Sequence, residues 1–166
     1  MAVVVWIVEG TWPACVDAAR THTPASADVV LLHVTGYDAP AAAHGAYAGL
    51  LGRGHRDRDP GTGIQTVAAE SGHALLRAAA ERLGRPSTGR EATGRVEREV
   101  VAAADSADLL IVARDGHRDR LGPKSLGPAT RFVVDHAPCP VLLVWPGTAP
   151  DLTTIPPPPP APPHHH

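Results

Sequence analysis

The stretch Asp108-Leu109-Leu110-Ile111-Val112-Ala113-Arg114-Asp115-Gly116 decides the fold. An unbroken apolar run ends abruptly in a charged loop that contains a glycine. A strand with one face in water alternates apolar and polar residues. A strand covered on both faces does not, and short β-branched runs of this kind belong to a parallel sheet held between two layers of helix. Three further runs share the character: Val3-Val4-Val5-Trp6-Ile7-Val8, Asp28-Val29-Val30-Leu31-Leu32-His33-Val34 and Pro140-Val141-Leu142-Leu143-Val144-Trp145. Their shortness and their glycine and proline flanks argue against buried pieces of helix.

Working outward, helical patterns fill the gaps. Trp12 to Thr21 follows the turn Glu9-Gly10-Thr11, with Pro13 in the first turn, where a helix tolerates it. Thr66 to Leu83 places Ala68, Leu75, Leu76, Ala79 and Leu83 on one face. Val96, Val100, Ala104 and Ala107 recur every three or four residues, which predicts a helix over 96–107. Pro128 to Ala137 is the last, stopped by Pro138. Alternation of strand and helix implies right-handed βαβ units and hence an α/β fold of three layers around an open parallel sheet. A fifth strand is required between Pro86 and Arg95. Its residues carry almost no strand signal, and a short edge strand near Arg90 to Thr93 is the expectation.

The chain has 166 residues, enough for one domain, expected over 1–148. Residues Gly36 to Gly63 form an insertion, read as a variable loop with an Ala-rich piece that could be helical. Residues 149–166 are expected to be a disordered proline-rich tail, and the closing histidines read as a tag or a metal-binding tract. A net charge of −2 gives no basis for binding nucleic acid. No apolar run approaches the roughly 18 residues of a membrane span, and the N-terminus reads as a strand, not a signal peptide. The two cysteines, Cys15 and Cys139, lie in apolar surroundings without a CxxC partner, so they read as buried small hydrophobes in a reducing cytoplasm.

Two segments carry a resemblance. Ala107 to Gly116, followed by Ala137-Pro138-Cys139-Pro140-Val141-Leu142-Leu143-Val144, resembles the universal stress protein family: a buried fourth strand, a glycine loop, a helix, then this fifth strand. The first strand, its Glu-Gly-Thr turn and the second strand match too, so the likeness spans about residues 3 to 147. It implies five parallel strands in the order 3-2-1-4-5, a Rossmann-like arrangement related to the adenine nucleotide alpha hydrolase folds. It also implies a homodimer across the last strand, Val141 to Trp145, whose apolar edge needs covering.

In ATP-binding members of that family the loop after the fourth strand reads Gly-x2-Gly-x9-Gly-Ser/Thr. Here Gly116 and Gly127 match. The first glycine is Ala113, the spacer is one residue longer, and Pro128 replaces the hydroxyl residue. The family's acidic residue facing adenine is Glu9, and Gly10-Thr11 keep the small turn. The resemblance therefore implies base contact from Glu9, Gly10, Thr11 and Val34, and phosphate contact around Ala113, Gly116, Gly127, Ala129 and Thr130, with ATP and Mg²⁺ as the ligand. A helix N-terminus holds phosphate through its unpaired N–H groups. Proline has none to give, and one lost donor to a charged oxygen costs about 1.5–3 kcal/mol. In compensation, Arg114, Arg118, Arg120 and Lys124 face only Asp115 and Asp119 across the loop.

Other candidates are weaker. His33 reads as a core histidine, His117 as a loop residue within reach of a phosphate, and Tyr37 as a cover for a base or a packing residue. Cys139 lies between two prolines. No Ser-His-Asp spacing, GxSxG or HExxH is present, and no carboxylate pair suggests acid–base chemistry, so no catalytic or metal site is expected. Two readings stay open: a cytoplasmic stress-response module that binds an adenine nucleotide, and a dimeric, protein-binding module that has lost the nucleotide. A slow ATP hydrolase is a third, resting on fold alone.

Overall fold

The computed structural model describes residues 1–36 and 60–163, with the side chains of 60–69 outside the description. The Ala-rich piece, Tyr37 and the terminal histidines fall outside these residues. In chain order the elements are β1 (Ala2–Trp6), α1 (Trp12–His22), β2 (Asp28–Gly36), α2 (Pro60–Leu83), β3 (Thr88–Gly94), α3 (Val96–Ala104), β4 (Leu109–Ala113), α4 (Pro128–His136) and β5 (Val141–Val144). Short 3₁₀ turns span Pro123–Ser125 and Leu152–Thr154.

The strands form one sheet in the order β3-β2-β1-β4-β5. Every pairing is parallel, with Val4 opposite Val30 and Leu110, and Leu110 opposite Val141. Side chains alternate between the two faces, and both faces are covered along the central strands β2, β1 and β4. Val3, Val5, Ile7, Leu31 and Ile111 pack against Val16 and Ala19 of α1 and against Leu76, Ala79 and Leu83 of α2. Val4, Trp6, Leu32, Leu110 and Val112 pack against Val100 and Ala104 of α3 and Val133 of α4. This two-sided burial is why the strand sequences do not alternate. Complete burial of a side chain such as Ile7, Leu31 or Ile111 stabilises the fold by about 1.5–3 kcal/mol each.

Boundaries differ from the sequence reading in instructive places. β3 runs over seven residues, longer than expected, because β2 supplies a full row of partners from Val30–Thr88 to Gly36–Gly94. Pairing, and not the propensity of Thr88-Gly89-Arg90-Glu91, makes it a strand. α2 begins at Pro60, so the end of the expected 36–63 loop is helix; proline's fixed φ suits a first helical position. α3 stops at Ala104, short of the expected Ala107, with Asp105 as its C-cap.

Two arginines fasten the α1 side. Arg85 donates to the Pro24 carbonyl (2.9 Å) and to Thr23 Oγ1 (2.5 Å), closing the C-terminal end of α1. Arg82 makes a bidentate pair with Asp17, both bonds 2.8 Å, and its hydrogen bonds hold the Asp17 carboxyl below its ordinary pKa.

Candidate functional site

The site suggested by the sequence lies at the C-terminal ends of β1 and β4, where the strand order turns back on itself. Above β1 the backbone tightens at once. The Val8 carbonyl accepts from the N–H groups of Thr11 (3.2 Å) and Trp12 (3.0 Å), and Gly10 takes φ +87°, a conformation that favours glycine. Glu9 and Gly10 are exposed at this turn, whereas Thr11 is buried. Val34 is buried in the core on the α3 side of the sheet. His33 places Nδ1 3.1 Å from the Ile7 carbonyl, and the α2 backbone at Gly72 lies over its ring.

Above β4 the loop is zipped shut at its base. The Arg114 N–H donates to the Val144 carbonyl (2.9 Å), prolonging the β4–β5 ladder. Gly116 then donates to the Ser125 carbonyl (2.9 Å) and His117 to the Lys124 carbonyl (2.8 Å). The two limbs approach so closely that a Cβ on Gly116 would collide with the Lys124 carbonyl oxygen and lie 2.8 Å from the Ser125 carbonyl carbon. Gly116 is therefore required by backbone packing, and its N–H is spent inside the loop.

The second matching glycine is spent as well. Gly127 is the N-cap of α4, and its N–H donates to Asp115 Oδ1 at 2.7 Å. A carboxylate thus sits at the positive end of α4, the place where an anion is best held. The next residue, Pro128, has no N–H. Thr130, in the first turn of α4, is 1% exposed. Ala129 packs against the core beside it, and Ala113 is buried at the end of β4.

The loop cations divide into two sets. Arg114 is committed: Nη1 donates to the buried Ser125 Oγ (2.5 Å), and its guanidinium lies 4.7 Å from the centre of the Trp145 ring. Ser125 in turn donates to the Gly122 carbonyl (2.7 Å). Arg118, Arg120 and Lys124 are exposed, with Arg120 4.0 Å from Asp119. A cavity of about 870 Å³ lies along the loop and the outer flank of α4, lined by Asp115, Lys124, Leu126, Pro128, Phe132 and His136 among others. Phe132 and His136 are stacked there, ring centres 4.0 Å apart. Glu9, Thr11 and Val34 do not line it. The residues expected to hold the base and those expected to hold phosphate therefore do not share this hollow.

The segment after β5 also reaches the loop. Asp151 caps the turn Leu152–Thr154 by accepting from the Thr153 N–H (2.8 Å), a bond that lowers its pKa. Thr154 Oγ1 accepts from the Leu121 N–H at 2.9 Å. Within the segment expected to be a tail, residues 151–155 thus carry a capped turn and a hydrogen bond to the loop. Residues 156–163 are exposed and without regular structure.

Sequence reasoning did not find Asp115 as a helix cap, Ser125 as the partner of Arg114, or Thr154 as a latch. Asp115 lies 12 residues before the amide that it holds. No local spacing announces such a contact.

Against a triphosphate with Mg²⁺ these groups fit poorly. The matching glycine amides are already bonded, a carboxylate occupies the helix end, and Thr130 is buried. Among the described residues no group of three His, Cys, Asp or Glu could hold a metal ion. No described helix is long and apolar enough to cross a membrane.

An all-parallel sheet whose order reverses at β1, with a glycine loop leading from β4 into a helix, defines a doubly wound, Rossmann-like α/β fold. The narrower assignment comes from sequence. The chain belongs to the universal stress protein family, whose model matches residues 9–144. No curated protein matches it in sequence. Among solved structures it is similar to MJ0577, the subject of a structure-based assignment of biochemical function, at TM-score 0.67 and 16% identity, covering 89% of this chain and 97% of that one. A universal stress protein in complex with cAMP is similar at TM-score 0.57 and 20% identity, over 89% and 98% of the two chains. The universal stress protein UspA from Lactobacillus plantarum follows at 0.55 and 17%, over 87% and 97%. Likeness at these identities establishes the fold.

Proposed function

We propose that this protein is a universal stress protein module that has closed its phosphate cradle with its own carboxylate, and that it acts by associating with protein and not by holding ATP. One observation carries this reading: the Asp115 carboxylate on the Gly127 amide, at the helix end that would otherwise receive a phosphate. A triphosphate would have to expel Asp115, and it would then meet Pro128, which offers no N–H in return. The bonded Gly116 and His117 amides support the same reading.

Association runs through β5. This strand ends the sheet, its four residues are only half-buried, and its outer backbone edge has no partner strand among the described residues. An apolar edge of this kind is protected by pairing, and a second copy of the chain offers the matching strand.

A second reading is favoured by the turn above β1. Glu9 and Gly10 remain exposed there, and among the described residues nothing lies within 4 Å of a Cβ on Gly10. An adenine nucleotide with a single phosphate, such as the cAMP held by one structural neighbour, makes less demand on the closed cradle.

Denaturing the purified protein and assaying the released nucleotide tests the proposal, together with light scattering of the native protein. The expected result is a dimer without ATP. A stoichiometric adenosine triphosphate would overturn the first part, and a monomer at high concentration the second.

A further inference from the structure

We propose that the segment 152–163 is a presented ligand for a partner protein whose groove, lined by aromatic side chains, takes a polyproline II helix. Seven of the eight residues from 156 to 163 are proline; the exception is Ala161. All eight are exposed and lie outside any helix or strand. Consecutive prolines fix φ and disfavour the α region for each preceding residue, so the run is held as a left-handed polyproline II helix rising about 3.1 Å per residue.

The chemistry of the run narrows the partner. From Pro156 to Pro163 only Ala161 carries a backbone N–H, so the segment cannot join a sheet edge as an added strand and cannot fold into a helix to fill a groove. It carries no charge, so neither an acidic nor a basic surface recognises it. It offers pyrrolidine rings and a row of carbonyl acceptors. The complementary surface is a set of flat aromatic rings whose edges donate hydrogen bonds, as Trp N–H and Tyr O–H do.

The structure adds an anchor to this run. Immediately before the prolines, Leu152 is 76% exposed and Ile155 is 56% exposed, two large apolar side chains left in water. Leu152 opens, and Ile155 follows, a turn that Asp151 caps and that Thr154 ties to the Leu121 amide. The ligand is therefore preorganised twice, by proline and by the turn, and it leaves the domain at a fixed point beside the loop. Preorganisation lowers the ordering cost of binding, which is the usual advantage of such sequences.

The test uses the full-length chain, an isolated SH3 domain as the aromatic-groove probe, and the double variant Pro157→Gly/Pro160→Gly. The circular dichroism difference between the two chains should carry the polyproline II signature. Added SH3 domain should shift the amide resonances of Ala161 and Ile155 saturably, and the double variant should weaken that binding about tenfold, because glycine restores the flexibility that proline removes. A difference spectrum without the signature would overturn the proposal. So would unshifted Ala161 and Ile155 amides at saturating probe, or equal binding by the variant.

Discussion

Replacing Asp115 by Asn separates the two roles that its carboxylate combines. The amide oxygen still accepts from the Gly127 N–H, so the 2.7 Å contact and the loop geometry persist. What disappears is a negative charge at the N-terminal end of α4. That charge contributes about 0.3–1 kcal/mol through the helix dipole at an exposed position. In a domain of this size the loss lowers Tm by about 1–4 °C. For an incoming anion the effect has the opposite sign. Two unit charges about 4 Å apart repel by roughly 1 kcal/mol in water and up to about 4 kcal/mol near a protein surface. Asp115 is exposed, so the lower part of that range applies. Removing it should raise the affinity for inorganic phosphate and for ATP about tenfold. Calorimetric titration at low ionic strength, where such charges are least screened, measures this directly. A variant that binds phosphate no better than the parent would refute the idea that Asp115 guards the cradle, as would a parent that already binds ATP tightly.

Three further outcomes follow from the same geometry. Gly116→Ala should cost about 1–3 kcal/mol in denaturant unfolding, because the added methyl meets backbone that cannot move aside; an unchanged midpoint would show that the limbs are not closed in solution. Burial pushes the Cys15 thiol up to about 12, while Cys139 is only half-buried, so a thiol reagent at mildly alkaline pH should label Cys139 first and Cys15 only on unfolding; equal labelling rates in the native protein would contradict the packing. The same raised pKa sets an alkaline limb. The folded state keeps the Cys15 proton where the unfolded chain loses it, so this contribution to stability is intact below about pH 9 and drains away as pH rises toward 12. Cys15→Ala should flatten that limb in unfolding curves, and an unaltered slope would count against it.

Much of the fold is legible because burial on both faces leaves a direct mark on sequence. Val3 to Trp6, Val29 to Leu32 and Leu109 to Val112 have no polar partner positions, and each is a central strand. β3 left almost no mark, since an edge strand of Thr, Gly, Arg and Glu owes its form to β2 beside it and not to its own residues. The candidate site was read from a sequence pattern, which does not report the state of its backbone donors. Gly116 and Gly127 match the family pattern in sequence, yet whether their amides are free depends on Lys124, Ser125 and Asp115 folding back over them. Contacts of that kind are set by loop closure and have no period to read. Thr130 illustrates the same limit: its near-complete burial follows from its position on α4 and not from its identity.

Following the Gly127 amide resonance while ATP and Mg²⁺ are added to millimolar concentration interrogates the contact itself. If the carboxylate owns that N–H, the signal stays in place throughout the titration. A large shift that saturates at one nucleotide per chain would mean that phosphate displaces Asp115, and the reading of a self-closed cradle would fall.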